Sequence, residues 1–194
     1  MTATPTTRTL GLDTWMTPSE IFDPVHALFR FTGDACAGSA AEARLPAFIS
    51  PEQDALSTDW SVVGPRVWCN PPYGRSISAW FKQTDAMVRG ASVDTVVMLT
   101  FANTDTGYWR KYVAENEHCH AVVFLHRRVR FVRPDGVASG AAPKGSALIV
   151  YAWHRRATRW PVHLYADATS PDSLLSCGLR DVVGAVLLDK VSDI

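Results

Sequence analysis

The chain has 194 residues, 47% of them hydrophobic and 20% charged, which excludes a disordered or fibrous protein and supplies one domain with its own core. Nineteen acidic and nineteen basic side chains cancel, so net charge argues neither for nor against a nucleic-acid partner; only a local basic face would show one. Cys36, Cys69, Cys119 and Cys177 form no Cys-x-x-Cys pair, and neither a signal peptide nor a membrane-length apolar run is evident, so a reduced, cytoplasmic setting without a metal is expected.

Residues 1–12 are Thr-rich and expected to be loosely held. Thr17-Pro18-Ser19-Glu20 predicts a helix start, with Thr17 as N-cap, Pro18 in the first turn and Glu20 at capping-box spacing. Ile21, Phe22, Val25, Leu28 and Phe29 fall on one face of that helix. Phe31–Ala35 predicts a short strand, and Gly38-Ser39-Ala40 a tight turn of small residues. Pro46, Pro51 and Pro65 argue against long elements over residues 44–66. Val67-Trp68-Cys69 reads as the end of a buried strand, and Ser76–Arg89 as a helix capped by Ser76. Val93–Phe101 is the clearest core strand; Thr106–Asn116 predicts a helix and Ala121–Leu125 a further buried strand. A Pro/Gly/Ala-rich loop over 134–145 precedes a strand at Ser146–Trp153, and Val182–Leu188 predicts a helix that packs or makes a dimer contact. This alternation indicates a single α/β domain over 1–194, with a mostly parallel central sheet and an antiparallel edge.

The most informative four residues are Asn70-Pro71-Pro72-Tyr73. Two prolines forbid both a strand ladder and a helix, so the chain leaves the sheet in a stiff, extended turn at a strand's carboxyl edge. In open α/β sheets that edge is where ligands bind. An exocyclic amino nitrogen is a poor nucleophile, because its lone pair is delocalised into the ring. The side-chain oxygen of Asn70 and the carbonyl of Pro71 each suit one of its two N–H bonds, localise the lone pair, and stabilise the positive charge that develops as a methyl group arrives. Tyr73 suits stacking on a base that has been extruded from the duplex.

A donor site is expected upstream. Asp34 stands at a strand end before the small-residue turn Ala37-Gly38, where backbone can approach a cofactor closely and a carboxylate can orient its ammonium or sugar hydroxyls. Asp54 lies about twenty residues further on, where a second acid often contacts a nucleoside, though it reads equally well as a solvated loop carboxylate. Asp59 reads as part of a turn.

Together these segments resemble the phage-type DNA N6-adenine methyltransferase family. The resembling residues are Thr14-Trp15-Met16-Thr17-Pro18 with Ile21-Phe22-Asp23, Phe31–Ala37, Asp54-Ala55-Leu56, Asp59-Trp60, and Val67–Gly74. They continue through Arg128–Phe131 and Ser146–Val150, in order over roughly residues 14–151. The resemblance implies a compact Rossmann-like class I methyltransferase fold, S-adenosylmethionine as cofactor, double-stranded DNA with a flipped adenine as substrate, and a phage or prophage origin. It also implies that Trp15, Thr17, Pro18, Asp34, Ala37, Gly38 and Asp54 line the cofactor pocket, and that Asn70, Pro71, Pro72 and Tyr73 carry the chemistry. Two departures stand out. Ala35 and Ala40 replace the Pro and final Gly of the usual Asp-Pro-x-x-Gly-x-Gly turn, and Ala41-Glu42-Ala43 lacks an expected Asn.

His126–Arg133 contains four arginines around Val129, Phe131 and Val132. Arg128, Arg130 and Arg133 suit phosphate contacts, and Phe131 suits the second wall of an adenine pocket opposite Tyr73. The same alternation is what a half-exposed strand shows. His118-Cys119-His120 has no third ligand at a useful spacing and reads as structural. The tetrapeptide also serves RNA bases and protein glutamine amides, and a catalytically silent DNA-binding module of the same fold is a reading from another class.

Overall fold

Helix α1 (Ser19–Phe29) forms where the apolar face predicts it: Ile21, Phe22, Val25 and Phe29 are buried. Its start differs from expectation. The N-cap is Pro18, whose carbonyl accepts from the amides of Ile21 and Phe22, and no side chain caps the helix. Thr17 instead turns inward and is buried, and Glu20 stays exposed, so the predicted capping box is absent. The helix ends at Arg30 in the left-handed region, its amide closing on the His26 carbonyl. In this computed structural model residues 15–133, 137 and 140–188 are described. The Thr-rich start, residues 134–136 and 138–139 of the Pro/Gly/Ala-rich loop, and residues 189–194 lie outside them.

Short strands β1 (Gly33–Asp34) and β2 (Ala47–Phe48) follow, then two single-turn helices at Pro51–Gln53 and Trp60–Val63. The second is capped by Asp59, which accepts from the Ser61 amide, so Asp59 is a turn residue as expected. Strand β3 (Arg66–Cys69) delivers Asn70. Helix α2 (Ile77–Arg89) begins after Ser76, although the Ser76 side chain makes no capping bond. Strand β4 (Thr95–Phe101) is buried almost throughout, α3 (Gly107–Trp109) runs on as a wider helical turn over Arg110–Ala114, and β5 (Cys119–His126) follows. Strands β6 (Ser146–Ala152) and β7 (Val162–Asp167) and helices α4 (Pro171–Ser176) and α5 (Leu179–Leu188) complete the order.

Among the described residues seven strands form one sheet in the order β2-β1-β3-β4-β6-β5-β7. All run one way except β6, which is inserted between β4 and β5, so the antiparallel pairing falls toward the β7 side. Helices α1, α4 and α5 cover one face around Trp68, Val97 and Leu148. On the other face α2 and α3 pack around Val67, Met98 and Ile149. Gly33 is required beneath this arrangement, because a Cβ there would stand 2.3 Å from the Val63 carbonyl oxygen. The carboxyl ends of β1, β3 and β4 thus converge on one edge of the sheet, where the chain leaves through Asp34, Asn70 and Phe101. Among the described residues no helix is long and apolar enough to cross a membrane.

Candidate active site

A cleft of about 530 Å³ opens at that edge, within the range of roughly 300–1,000 Å³ typical of small-molecule sites. Trp15, Thr17, Asp34, Ala37, Gly38 and Asp54 line it, and so do Asn70, Pro72 and Tyr73. The fold thus brings together residues more than fifty positions apart. Two predicted members are missing from the wall: Pro18 is committed to the start of α1, and Pro71 is buried behind the turn.

The Asn70 side chain is held at both ends. Its Nδ2 donates to the Trp15 carbonyl at 2.6 Å, and its Oδ1 accepts from the Tyr73 hydroxyl at 2.7 Å. A carbonyl can only accept, so the group facing Trp15 must be the amide NH₂ and the oxygen must face the other way. Tyr73 then spends its single proton on Asn70, leaving the Leu99 carbonyl, 3.4 Å from the same hydroxyl, as the alternative acceptor. Burial raises the Tyr73 phenol well above its usual pKa, so it remains a donor at neutral pH.

Asp34 is nearly fully buried, with Oδ1 accepting from the Cys36 amide at 2.9 Å. Burial pushes its carboxyl up to about 6; the backbone amides of Cys36 and Arg44 and the Arg44 charge pull the other way without offsetting it. Burial likewise pushes the Cys36 thiol up, which leaves it unreactive. Ala35, in place of proline, has an amide to use, and donates it to the Trp68 carbonyl at 2.9 Å, extending the β1–β3 ladder. At the rim Asp54 has a left-handed backbone, and its carboxylate closes a turn on the Leu56 amide and the Ser57 hydroxyl.

Arg44 is not legible in the sequence as a site residue. It lines the cleft beside Asp34, with its guanidinium over the Phe22 ring at 5.5 Å and Nη1 donating to Ser19 at 3.2 Å. Nothing local in Ala43-Arg44-Leu45 signals this, since the pairing depends on α1 and β1 meeting in space. Two polar atoms of this wall, Thr17 Oγ1 and Arg44 Nε, are shielded from solvent without a protein partner. Native proteins rarely leave such groups unpaired. A donor pair beside a buried carboxylate fits the zwitterionic amino-acid end of S-adenosylmethionine, so the residues present suit that cofactor.

The arginine strip keeps the alternation of an edge segment: Arg128, Arg130 and Arg133 are exposed, while Val129 and Phe131 are buried. None of the three arginines lines the cleft. They connect to it through a two-residue bridge, in which Met16 and Val132 exchange backbone hydrogen bonds of 2.8 and 3.0 Å. Phe131 does face Tyr73, but their ring centroids are 5.4 Å apart at 58°. An inserted base needs about 3.5 Å on each of its faces, so these rings do not form two walls with a gap between them. Tyr73 also stacks on Phe101, with ring centroids 4.2 Å apart. His118 and His120 bond the carbonyls of Ala152 and His154, and no three potential metal ligands converge among the described residues.

None of the curated proteins matches the sequence. Among solved structures the chain is similar to the type IIL restriction-modification enzyme MmeI in complex with DNA, at 13% identity and a TM-score of 0.40 over 66% of this chain. It spans 21% of the MmeI chain. It is also similar to a putative class I S-adenosylmethionine-dependent methyltransferase from Listeria monocytogenes, at 11% identity and a TM-score of 0.46, covering 92% of this chain and 71% of that one. The match that decides the matter is to a family rather than to a structure: the sequence model of the DNA N-6-adenine-methyltransferase (Dam) family aligns with residues 4–169. With most of the chain inside that alignment and an Asn-Pro-Pro-Tyr turn at the cleft, the protein belongs to the DNA N-6-adenine-methyltransferase family.

Proposed function

We propose that this chain transfers a methyl group to the N6 nitrogen of an adenine extruded from duplex DNA, in the cytoplasm of its host, with Asn70 Oδ1 accepting one of the amino group's N–H bonds; Pro71, which does not line the cleft, is given no part in this. One observation carries the reading: the Trp15 carbonyl locks the Asn70 amide so that an acceptor oxygen, not a donor, is presented. S-adenosylmethionine, when bound, supplies an electrophilic methyl group on a sulfonium. Asp34 is placed to take the ammonium of its amino-acid end, Arg44 and Thr17 to take the carboxylate, and Asp54 at the rim to meet the nucleoside. An acceptor fixed before reaction stabilises the charge developing on N6 without reorganising, and alignment of donor and acceptor supplies much of the remaining rate. Arg128, Arg130 and Arg133 hold the phosphate backbone outside the cleft.

The test is nucleoside mass spectrometry of unmethylated DNA incubated with the protein and S-adenosylmethionine. N6-methyladenine from the wild type, reduced at least about a hundredfold in Asn70→Ala, is the expected result, in line with removal of one oxyanion-hole-type hydrogen bond. Equal methylation by the two proteins would remove Asn70 from the chemistry. Methylated RNA or glutamine in place of methylated DNA would move the reaction to another acceptor.

A further inference from the structure

Beside the cofactor cleft lies a second one of about 210 Å³, bounded by Ile77, Thr100, Phe101, Asn103 and Lys144. Tyr73 and Gly74 line both clefts and so form the partition between them. The ring of Tyr73 stacks on Phe101 with centroids 4.2 Å apart and planes 27° from parallel, and its hydroxyl donates to Asn70 Oδ1 at 2.7 Å. A planar ring on Phe101 with a donor aimed at Asn70 Oδ1 is also a description of an adenine bound for reaction.

We propose that the smaller cleft receives the target adenine and that Tyr73 occupies the base's place until it arrives, as a stand-in whose hydroxyl imitates the amino group. The proposal rests on the role given to Asn70 above. On arrival the amino N–H takes Asn70 Oδ1 from the phenol, so one donor replaces another and the acceptor is never left bare. The phenol turns toward Gly74, which lines both clefts and carries no side chain, and its ring then covers the base from the open side. Thr100 supplies a second contact. It is 1% exposed, lines the cleft, and its hydroxyl has no protein partner. A ring nitrogen of a purine is the acceptor that such a buried donor lacks. Lys144, whose Nζ donates to Asn103 Oδ1 at 3.0 Å, places a cation where an extruded nucleotide's phosphate can be met. The arrangement accounts for why Phe131 and Tyr73 stand too close to admit a base: in this state the position is filled.

The stand-in predicts a gain from a deletion. Tyr73→Phe keeps the ring and removes the bond that holds it closed, so KM for unmethylated DNA falls by about fivefold, the worth of one modest hydrogen bond. In a duplex carrying 2-aminopurine at an adenine the wild type is found to methylate, fluorescence on binding rises further for Tyr73→Phe than for the wild type. A KM that is unchanged or raised, with no added fluorescence, overturns the stand-in and leaves Tyr73 a stacking platform alone. Thr100→Val tests the cleft separately: KM for DNA rises severalfold while S-adenosylhomocysteine binds as before, and an unaltered KM removes Thr100 from the base site. A wild type that methylates no DNA would sink the role of Asn70 itself, and the proposal with it, a result distinct from a methylating wild type whose Tyr73→Phe variant shows no gain.

Discussion

Single residues divide into those whose role follows from local sequence and those made by the fold. Asn70 is of the first kind, because two prolines dictate the turn that presents it. Thr17 is of the second: as a local signal it reads as an N-cap, and only the packing of α1 against the sheet buries its hydroxyl in the wall of the cleft. Asp34 is legible by position but not by energy. A carboxyl raised from 3.8 to about 6 by burial binds protons more tightly in the folded chain than in the unfolded one, so stability falls as pH rises between about 4 and 6. Above pH 6 the full penalty stands, on the order of 3 kcal/mol from the size of that shift. Asp34→Asn therefore stabilises the free protein, by about 1 kcal/mol more at pH 7.5 than at pH 5, as urea unfolding at the two pH values will show. The same substitution weakens S-adenosylhomocysteine binding about tenfold or more, by loss of a charge-assisted bond to the ammonium. In the wild type, calorimetry will find this affinity declining as pH drops through about 6, since protonation removes the charge that the ammonium seeks.

At the level of elements, strands are more legible than the neighbours they pair with. Runs such as Val96-Val97-Met98-Leu99 announce burial on both faces, but nothing within them says that β6 reverses direction between β4 and β5. The alternation over Arg128–Phe131 likewise marks the exposed and buried sides correctly, while its bridge to Met16 joins positions 116 residues apart (132 minus 16) and leaves no local trace. That bridge steadies the segment carrying Trp15 and Thr17. Val132→Pro removes the amide that donates to the Met16 carbonyl at 3.0 Å. The expected result is a global stability loss of about 1 kcal/mol, the usual worth of one backbone bond, with a disproportionate fall in kcat as the Asn70 amide loses its orientation. Equal, small effects on stability and turnover would show the bridge to be merely a surface contact.

For the molecule as a whole, neutrality hides the partner. Opposite charges cancel across the chain, while Arg128, Arg130 and Arg133 stand exposed on one short strip. Association with DNA then depends on few neutralised phosphates and should respond to salt only moderately. Replacing the three arginines with glutamine lowers the slope of log affinity against log salt by about 0.9 for each phosphate that is no longer neutralised, without altering which adenines are methylated. A slope equal to that of the wild type would place the DNA elsewhere on the surface. The α/β class and the position of the cleft are legible because alternating elements and a carboxyl-edge turn are written in short windows. The filled state of the Tyr73 position is not, since it depends on Phe101 and Phe131 arriving from two other segments.

The partner that fixes the Asn70 amide is a backbone carbonyl, so no change of side chain at position 15 deletes it. A survey of single substitutions would find Trp15 tolerant or intolerant according to its packing, and would pass over its bond to the amide. The polarity of the reaction centre is inherited from the path of the chain, and this one bond survives any change of side chain at position 15 that keeps that path.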